Sequence, residues 1–221
     1  MDVTQALTER QSVRAFLDKE VPQELIRQIL NYARCSPSGT NTQPWQVAVV
    51  RGHAKLELDK KLIDAFWHET PRNPDYNYYP KTMNLDFKRR RIECGLLLYK
   101  TLGITRDDKD GRLKQWARNY EAFGAPVVFY LLADKLIDKG SFMDYGMFIQ
   151  SVMLMATHLG LATCPQAALA EYPDIVKQHL NYPTDSILLG GIALGYEDTN
   201  SIINSYRTPR DPVDSFTKFF E

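Results

Sequence analysis

Arginine and serine alternate in one short segment near the amino terminus. Arg10, Ser12 and Arg14 occupy every second position of the segment Arg10-Gln-Ser-Val-Arg14. If the backbone is extended here, the three side chains point to the same side. Two guanidinium groups and a hydroxyl on one face suit a phosphate and a polyol chain, because arginine offers fixed, charge-assisted donors. Taken alone, however, the segment favours a simpler interpretation, a solvated basic turn.

A second polar segment connects a predicted helix to a predicted strand. Between Cys35 and Trp45, the loop carries small polar side chains and accessible backbone amides, notably at Ser38, Gly39 and Asn41. These groups could contact a ligand, but by itself the loop is equally typical of an ordinary helix-to-strand connection.

Apolar patterns predict the elements that position these segments. Helical spacing predicts helices at about 22–35, 54–68, 84–102, 109–121 and 144–159, the last closed by Gly160. Strands are predicted at 45–51, 126–133 and 186–194. This order indicates a mixed α/β or α+β layer architecture with one sheet. Since 144–159 is apolar almost all round, that helix should lie deep in a core or at a subunit interface.

The composition excludes several classes of protein. The chain has 221 residues, of which 44% are apolar, and its 27 basic residues balance 27 acidic ones, so nothing indicates a nucleic-acid or membrane partner. The three cysteines and four histidines show no ligand spacing, so we expect no metal site. No nucleophile elbow, P-loop or dinucleotide-binding glycine motif occurs. The start of the chain lacks signal-peptide features, and we expect a cytoplasmic protein with reduced thiols.

Together, the two amino-terminal segments resemble the signature of the nitroreductase family. Arg10-Gln-Ser-Val-Arg-Ala-Phe16, one helix, and Pro37-Ser-Gly-Thr-Asn-Thr-Gln-Pro-Trp45 are similar to that signature in composition and separation. The stretches 160–169, 189–196 and 207–216 resemble the carboxy-terminal half of the family. The resemblance therefore covers nearly the whole chain and is weakest at about 68–122.

This resemblance implies a fold and an assembly. The implied fold is α+β, with a central, mostly antiparallel sheet flanked by helices. One domain would span 1–221, with a variable, cleft-forming insertion at about 68–122. The family is an intertwined homodimer whose flavin sites lie at the interface and whose carboxy-terminal arm wraps across the partner. Phe216, Phe219 and Phe220 would give that arm an apolar face to bury.

The resemblance also implies that the chain binds FMN. Arg10, Arg207 and Arg210 would contact the phosphate, with Arg210 favoured as the main ligand. Ser12 and Asn41 would contact the ribityl chain. Arg14 would lie at the N1–C2=O edge of the ring, and the loop 37–43 would come from the partner subunit. The implied cofactor-binding residues are Arg10, Gln11, Ser12, Arg14, Pro37, Ser38, Gly39, Asn41, Pro165, Gln166, Ala167, Ala168, Arg207 and Arg210.

One part of this pattern departs from many members of the family. Backbone amides between Pro165 and Ala168 would meet the N5 and O4 edge of the flavin, but Pro165 itself has no amide hydrogen to donate. The chain has Gln166-Ala167-Ala168 where many members have a Glu-Gly pair. The hydrogen bond to N5 therefore depends on backbone geometry that the sequence does not specify.

The implied reaction takes place on the flavin. NADPH or NADH would deliver hydride to N5 and leave, and a small electron-poor substrate, such as a nitroaromatic or a quinone, would then take its place in a ping-pong mechanism. No side chain needs to act as a nucleophile or base. Other reductions on the same fold and the choice between NADH and NADPH stay open. A different class of function, a low-turnover flavin-binding regulator or store, is the alternative.

Candidate substrate contacts lie in the variable part of the chain. They are Tyr79, Arg91 and Phe123, with Arg91 suited to an anionic aromatic compound. For the run Lys88–Arg91, a solvated helix face is the simpler interpretation. For the tyrosines, packing in a core or an interface is as good an explanation as substrate contact.

Overall fold

Seven α-helices and four strands make up the chain in the computed structural model, which describes residues 1–221. The helices are α1 Val3–Glu9, α2 Gln23–Ala33, α3 Gly52–Trp67, α4 Leu85–Thr101, α5 Lys109–Ala117, α6 Lys139–His158 and α7 Pro173–Leu180. The strands are β1 Gln46–Arg51, β2 Val127–Ala133, β3 Ala162–Gln166 and β4 Ile187–Gly195. None of the helices combines the length and apolar character needed to cross a lipid bilayer.

The four strands form one sheet in the order β1-β2-β4-β3, and each neighbouring pair is antiparallel. This confirms the predicted antiparallel sheet. The two edges of the sheet are therefore β1 and β3, separated by roughly 14 Å at the usual strand spacing. Two segments that flank opposite edges are thus kept apart within one chain.

Both faces of the sheet are buried, which explains why β2 is a continuous apolar run. Alternate residues of β2, such as Val127 and Phe129, face a cluster that includes α2 and α6. The residues between them, such as Val128 and Tyr130, face a second cluster that includes α3 and α7. Each large side chain buried in this way contributes about 1.5–3 kcal/mol to the free energy of folding.

The helix predictions do not include α1, and the remaining helix and strand predictions agree with the structure except in three places. First, β3 was not predicted, because it is short and contains Pro165, a residue typical of edge strands and loops. Second, α7 was not predicted, although Pro173 begins it as proline often does. Third, α6 begins at Lys139 rather than at 144, because Asp138 caps a polar first turn that lacks the apolar pattern. The predicted end of α6 is correct, with Gly160 at φ 73°.

Several apolar side chains are left uncovered by this fold. α4 has 17 residues and none of them is buried. On α6, Met143 and Met147 are exposed, and the aromatic side chains near the carboxy terminus are 73–90% exposed: Phe216, Phe219 and Phe220. Apolar surface concentrated in this way marks sites of interaction.

Candidate active site

The alternating segment runs in extended conformation along the edge strand β3. Ser12 and Thr163 form a parallel bridge, and the amide of Val13 donates to the carbonyl oxygen of Thr163 over 3.0 Å. Val13 and Ala15 are buried. Because neighbouring side chains of an extended segment point to opposite faces, the other face carries the polar residues. These half-buried residues are Arg10, Ser12 and Arg14.

Arg14 is held in place from several directions. Its Nη1 donates to the Tyr206 hydroxyl over 2.8 Å and to the Ser12 carbonyl oxygen over 3.2 Å, and its amide donates to Asn204 Oδ1 over 2.8 Å. Its guanidinium carbon lies 5.9 Å from the ring centroids of both Phe123 and Tyr206. No carboxylate pairs with Arg14. The result is a fixed positive charge that remains available to a ligand.

Two arginines from the carboxy-terminal segment join Arg10. Burial lowers the pKa of Arg10, and the nearby charges of Arg210 and Arg207 lower it further. Arg210 otherwise bonds only its own turn, through Thr208 and Pro209. Burial is the larger cause of the lowered pKa of Arg10 and repulsion by the two other arginines is the smaller one, and a bound anion would relieve that repulsion.

Gln11 points away from that polar face. Its Nε2 donates to Glu197 Oε1 over 2.7 Å. Burial raises the pKa of the Glu197 carboxyl, while the nearby Arg207 opposes the increase. Gln11 therefore borders the arginine group through Glu197, and its amide is already engaged within the chain.

The end of β3 lies beside the same segment. After Gln166 the strand passes into a short 3-10 turn at Ala168–Ala170, with Ala167 at its start. The Gln166 side chain is buried and its Nε2 donates to the Asn119 carbonyl oxygen over 3.0 Å. The side chain is thus used internally, which leaves the backbone of 165–168 as the part that could contact a ligand.

A turn with unusual backbone geometry places Phe123 next to Arg14. Ala122, Phe123 and Gly124 have φ angles of 48°, 57° and 80°, a region that non-glycine residues seldom adopt. The ring of Phe123 is buried, with 3% of its surface exposed. Arg118 Nη2 donates to the Phe123 carbonyl oxygen over 3.4 Å. Such a strained turn persists only when its surroundings hold it.

A buried ion pair on α3 supplies part of that support. Lys55 and Asp59 form the pair, with 8% and 10% of their side chains exposed. Lys55 Nζ also donates to the Glu121 carbonyl oxygen, over 3.3 Å, at the start of the strained turn. Asp59 Oδ1 is buried and has no hydrogen-bond partner. Lys55 therefore links helix α3 to the turn that carries Phe123.

The second polar segment lies elsewhere. Gly39 donates its amide to the carboxylate of Asp144 on α6 over 3.2 Å, and the amide of Gln43 donates to Ser38 Oγ over 2.9 Å. The exposed loop leads into β1, at the edge of the sheet opposite β3. No hydrogen bond or ion pair joins it to residues 10–14. A single chain thus does not bring Pro37, Ser38, Gly39 and Asn41 to the arginine group.

The remaining substrate candidates lie around α4. The Arg91 guanidinium carbon is 5.1 Å from the ring centroid of Tyr79, and both residues are exposed. Tyr76, by contrast, donates its hydroxyl to the Leu189 carbonyl oxygen over 2.7 Å. Tyr76 therefore anchors the irregular segment to β4, while Tyr79 and Arg91 contact each other.

Four residues of this region escaped the sequence analysis. Tyr206 and Asn204 hold Arg14, Asn119 holds Gln166, and Lys55 holds the strained turn. Tyr206 directly precedes Arg207, so its position next to a predicted phosphate ligand could have identified it as a residue of the site. For the others, the chain offers no local signal.

The antiparallel sheet and the arginine group at its β3 edge define a class of protein, an α+β protein with a site for an anionic ligand. Comparison with known proteins makes this more specific. The nitroreductase family model matches residues 7–196. The chain belongs to the nitroreductase family, as the resemblance of its motifs indicated.

Individual relatives cover the chain almost completely. A 4-nitrobenzoate reductase of Pseudomonas putida is 35% identical over 218 residues, which are 99% of this chain and 95% of that protein. The solved structure of the FMN- and NADPH-dependent nitroreductase NfnB from Sphigopyxis sp. strain HMH has 36% identity, covers 100% of both chains and superposes with a TM-score of 0.96. The FMN-dependent nitroreductase NfnB from Mycobacterium smegmatis, solved in complex with NADPH, has 35% identity, covers 99% and 97%, and gives a TM-score of 0.94.

Proposed function

We propose that this protein is an FMN-dependent oxidoreductase that uses NADPH or NADH to reduce small electron-poor compounds, nitroaromatics in particular. The observation that carries the proposal is the group of Arg10, Arg207 and Arg210 beside the fixed charge of Arg14. Relatives that match the chain over nearly its full length are named reductases of nitro compounds, which supports the reaction class and does not favour a low-turnover flavin store.

The arginine group fits the phosphate of FMN. A phosphomonoester carries about −1.5 to −2 charges near neutral pH. Arg10, Arg207 and Arg210 together carry three positive charges, and none of them has a carboxylate partner within ion-pair distance. Binding the phosphate would compensate the burial of Arg10, which is the main cause of its lowered pKa, and would relieve its repulsion by Arg210 and Arg207. Arg10 and Arg210 are the ligands that we expect to matter most.

Arg14, Ser12 and the backbone of 165–168 are suited to the rest of the cofactor. When bound, FMN accepts hydride from the nicotinamide and passes the electrons to the substrate. Arg14, fixed by Tyr206, would place its charge at the N1–C2=O edge, where a positive charge favours the arrival of electrons. Ser12 would bond the ribityl chain, and the amides that follow Pro165, on Gln166, Ala167 and Ala168, would meet the opposite edge.

The loop 37–43 completes the site only across a subunit interface. We therefore propose a homodimer in which Pro37, Ser38, Gly39 and Asn41 of one protomer contact the flavin held by its partner. The exposed methionines of α6 and the exposed aromatic side chains of the carboxy-terminal arm support this assembly. Burying each such side chain would contribute about 1.5–3 kcal/mol, as expected of an obligate dimer.

The variable segment 68–122 is proposed to form the wall of the substrate cleft within a single domain of 1–221. Its α4 has no buried residue, and its Tyr79 and Arg91 are exposed and in contact. Phe123 directly follows the segment and lies beside Arg14, where its buried ring would support the cleft rather than contact the substrate. A cytoplasmic location accords with three cysteines that are all free.

The test begins with the purified protein and FMN. We expect visible flavin bands that NADPH or NADH bleaches without oxygen and that 4-nitrobenzoate then restores. The double variant Arg10→Met/Arg210→Met should bind FMN at least tenfold more weakly, whereas Lys218→Met, which removes a nearby exposed charge, should bind normally. A colourless protein that FMN cannot reconstitute would falsify the proposal. Bound flavin that neither nicotinamide reduces would favour a flavin store instead.

A further inference from the structure

The helix α4 and the loops at its two ends enclose a groove in which all charged side chains have the same sign. Its volume is about 1030 Å³. No carboxylate lines it. Six basic residues do: Lys81, Lys88, Arg91, Lys100, Arg106 and Arg112. Like charges gathered around one cavity repel each other, so this arrangement favours a negatively charged occupant.

These six side chains are also free of ion pairs within the chain. Their neighbours on the same helix are not free: Arg89 pairs with Glu93 at 3.4 Å, and Arg90 pairs with Asp211. Of three consecutive arginines, only Arg91 lines the groove, and only Arg91 is unpaired. The positive charges that line the groove are therefore not neutralised by carboxylates of the same chain.

Aromatic and apolar side chains complete the walls of the groove, and one of the cations, Arg112, is held in position. Arg112 lies with its guanidinium carbon 5.3 Å from the ring centroid of Tyr99, and its Nη1 donates to the Arg106 carbonyl oxygen over 3.3 Å. Ile92 and Leu96 add apolar surface beside Tyr99. A ligand that combines phosphate groups with a planar base matches such a mixture, because the base can stack while the phosphates meet the cations.

The amount of charge decides between two classes of ligand. An aromatic carboxylate carries one negative charge and would leave five of the six cations uncompensated. NADPH carries two charges on its diphosphate and about −1.5 to −2 more on its 2′-phosphate. Small-molecule pockets have volumes of roughly 300–1,000 Å³, so this groove is also large for a substituted benzoate. A dinucleotide phosphate matches both the charge and the size.

The helix α4 borders both the groove and the region of the proposed chemistry. α4 packs against the turn Ile202–Asn204, and Asn204 Oδ1 accepts a hydrogen bond from the amide of Arg14. Arg91, which lines the groove, also contacts Tyr79, a candidate for the cleft wall. A long ligand with its adenosine end in the groove can therefore pass Arg91 and reach the proposed cleft wall at Tyr79.

We propose that this groove binds the phosphorylated adenosine end of NADPH, and that its unpaired cations make the enzyme prefer NADPH to NADH. The inference rests on the proposed function, because it takes a nicotinamide dinucleotide as the electron donor. The choice between NADPH and NADH as electron donor would then depend on the variable segment 68–122 and not on the residues that would hold FMN.

The experiment compares the FMN-loaded double variant Lys88→Met/Arg106→Met with the wild-type enzyme and with Arg89→Met, whose arginine lies outside the groove. Two charge-assisted contacts are lost, so we expect KM for NADPH to rise about 10- to 100-fold, and KM for NADH to rise less. Arg89→Met should change neither value more than twofold. In a calorimetric titration, the wild-type protein should bind 2′,5′-ADP more tightly than 5′-AMP, and the double variant should lose that difference.

Controls separate this inference from the proposed function. Reoxidation of the chemically reduced enzyme by neutral nitrobenzene does not depend on the cations of the groove, and the double variant should retain its rate. Two results together would overturn the inference. The double variant would have the same ratio of KM for NADPH to KM for NADH as the wild-type enzyme, and the wild-type protein would bind 2′,5′-ADP and 5′-AMP equally well. The proposed function would remain intact. An increase in KM for 4-nitrobenzoate but not for neutral nitrobenzene, with NADPH unaffected, would assign the groove to an anionic substrate and also overturn it.

Discussion

The β3 edge and the α4 groove both concentrate positive charge, but they hold it in different ways. At the β3 edge, the backbone of residues 10–16 is bonded to a strand, and Arg14 is fixed by Tyr206 and Asn204. In the groove, the cations project from a helix without a single buried residue and from adjoining loops. The first arrangement is rigid and partly desolvated, whereas the second is solvated.

The difference matches the tasks that we propose for the two regions. A charge that favours electron transfer to a flavin must already be in position when the electrons arrive, because reorienting it costs part of the benefit. A charge that attracts a diffusing phosphate needs only proximity and the correct sign. Rigidity is therefore expected at the β3 edge, and accessibility is expected in the groove. Four experiments test this contrast.

The largest effect should come from removing the support of the Phe123 turn. Lys55→Met leaves Asp59 buried without its partner, and breaking a buried pair in this way costs about 3–5 kcal/mol. Urea denaturation would measure the loss in the free energy of unfolding. Lys60→Met, an exposed neighbour on the same helix, should change it by less than about 0.5 kcal/mol. If Lys55→Met and Lys60→Met had the same free energy of unfolding, the rigidity of the region at the β3 edge would not depend on the pair of Lys55 and Asp59.

Cysteine labelling compares the two regions directly, because each contains one thiol. Burial raises the pKa of Cys164 on β3 to about 11, although Arg14 and Arg10 lower it, while Cys94 on α4 is exposed. Relative to an ordinary thiol of pKa about 8.5, the thiolate fraction of Cys164 at pH 8 is roughly 240-fold smaller. Alkylation followed by mass spectrometry should therefore label Cys94 at least 100-fold faster. Labelling of Cys164 should accelerate as the pH approaches 11, and comparable rates at pH 8 would contradict a closed β3 edge.

Removing the fixed charge should slow the chemistry without unfolding the protein. Arg14→Gln keeps a donor near Tyr206 but removes the positive charge. We expect flavin reduction by NADPH to slow by about 100-fold, the scale of losing one preorganised electrostatic group, and the flavin potential to fall. Anaerobic stopped-flow absorbance would measure the rate, with Arg27→Gln as a control at an exposed position on α2. A normal rate and potential would place Arg14 away from the ring.

Ionic strength should give the smallest effect and should act only on the groove. Solvated charges are screened by salt, with a Debye length of about 10 Å at 0.1 M and 3 Å at 1 M. Raising the salt concentration tenfold should increase KM for NADPH several-fold and KM for NADH less. The rate of reoxidation by neutral nitrobenzene should stay within twofold. If salt affected flavin reduction by NADPH and flavin reoxidation by nitrobenzene equally, the two regions would not differ in how their charges are exposed to solvent.

Much of the local structure could be predicted from the order of residues alone. Helical spacing located α2, α3, α4 and α5, and apolar runs located β2 and β4, because these patterns follow from backbone periodicity. The alternation in Arg10-Gln-Ser-Val-Arg14 and the motif ending at Trp45 were sufficient to indicate the nitroreductase family, which the family match confirms. β3 escaped prediction because five residues with a proline carry too little periodic signal.

Only the tertiary structure decided which of these segments meet. The sheet order puts the segment of Arg10 beside β3 and the loop 37–43 at the opposite edge, although both belong to one sequence signature. The chain returns after nearly 200 residues to bring Arg207 and Arg210 to Arg10, and Tyr206 to Arg14. The groove likewise collects cations from 81 to 112, while ion pairs neutralise Arg89 and Arg90. Periodicity is a property of neighbouring residues, whereas these contacts depend on strand order and packing between residues far apart in the chain, so no local pattern encodes them.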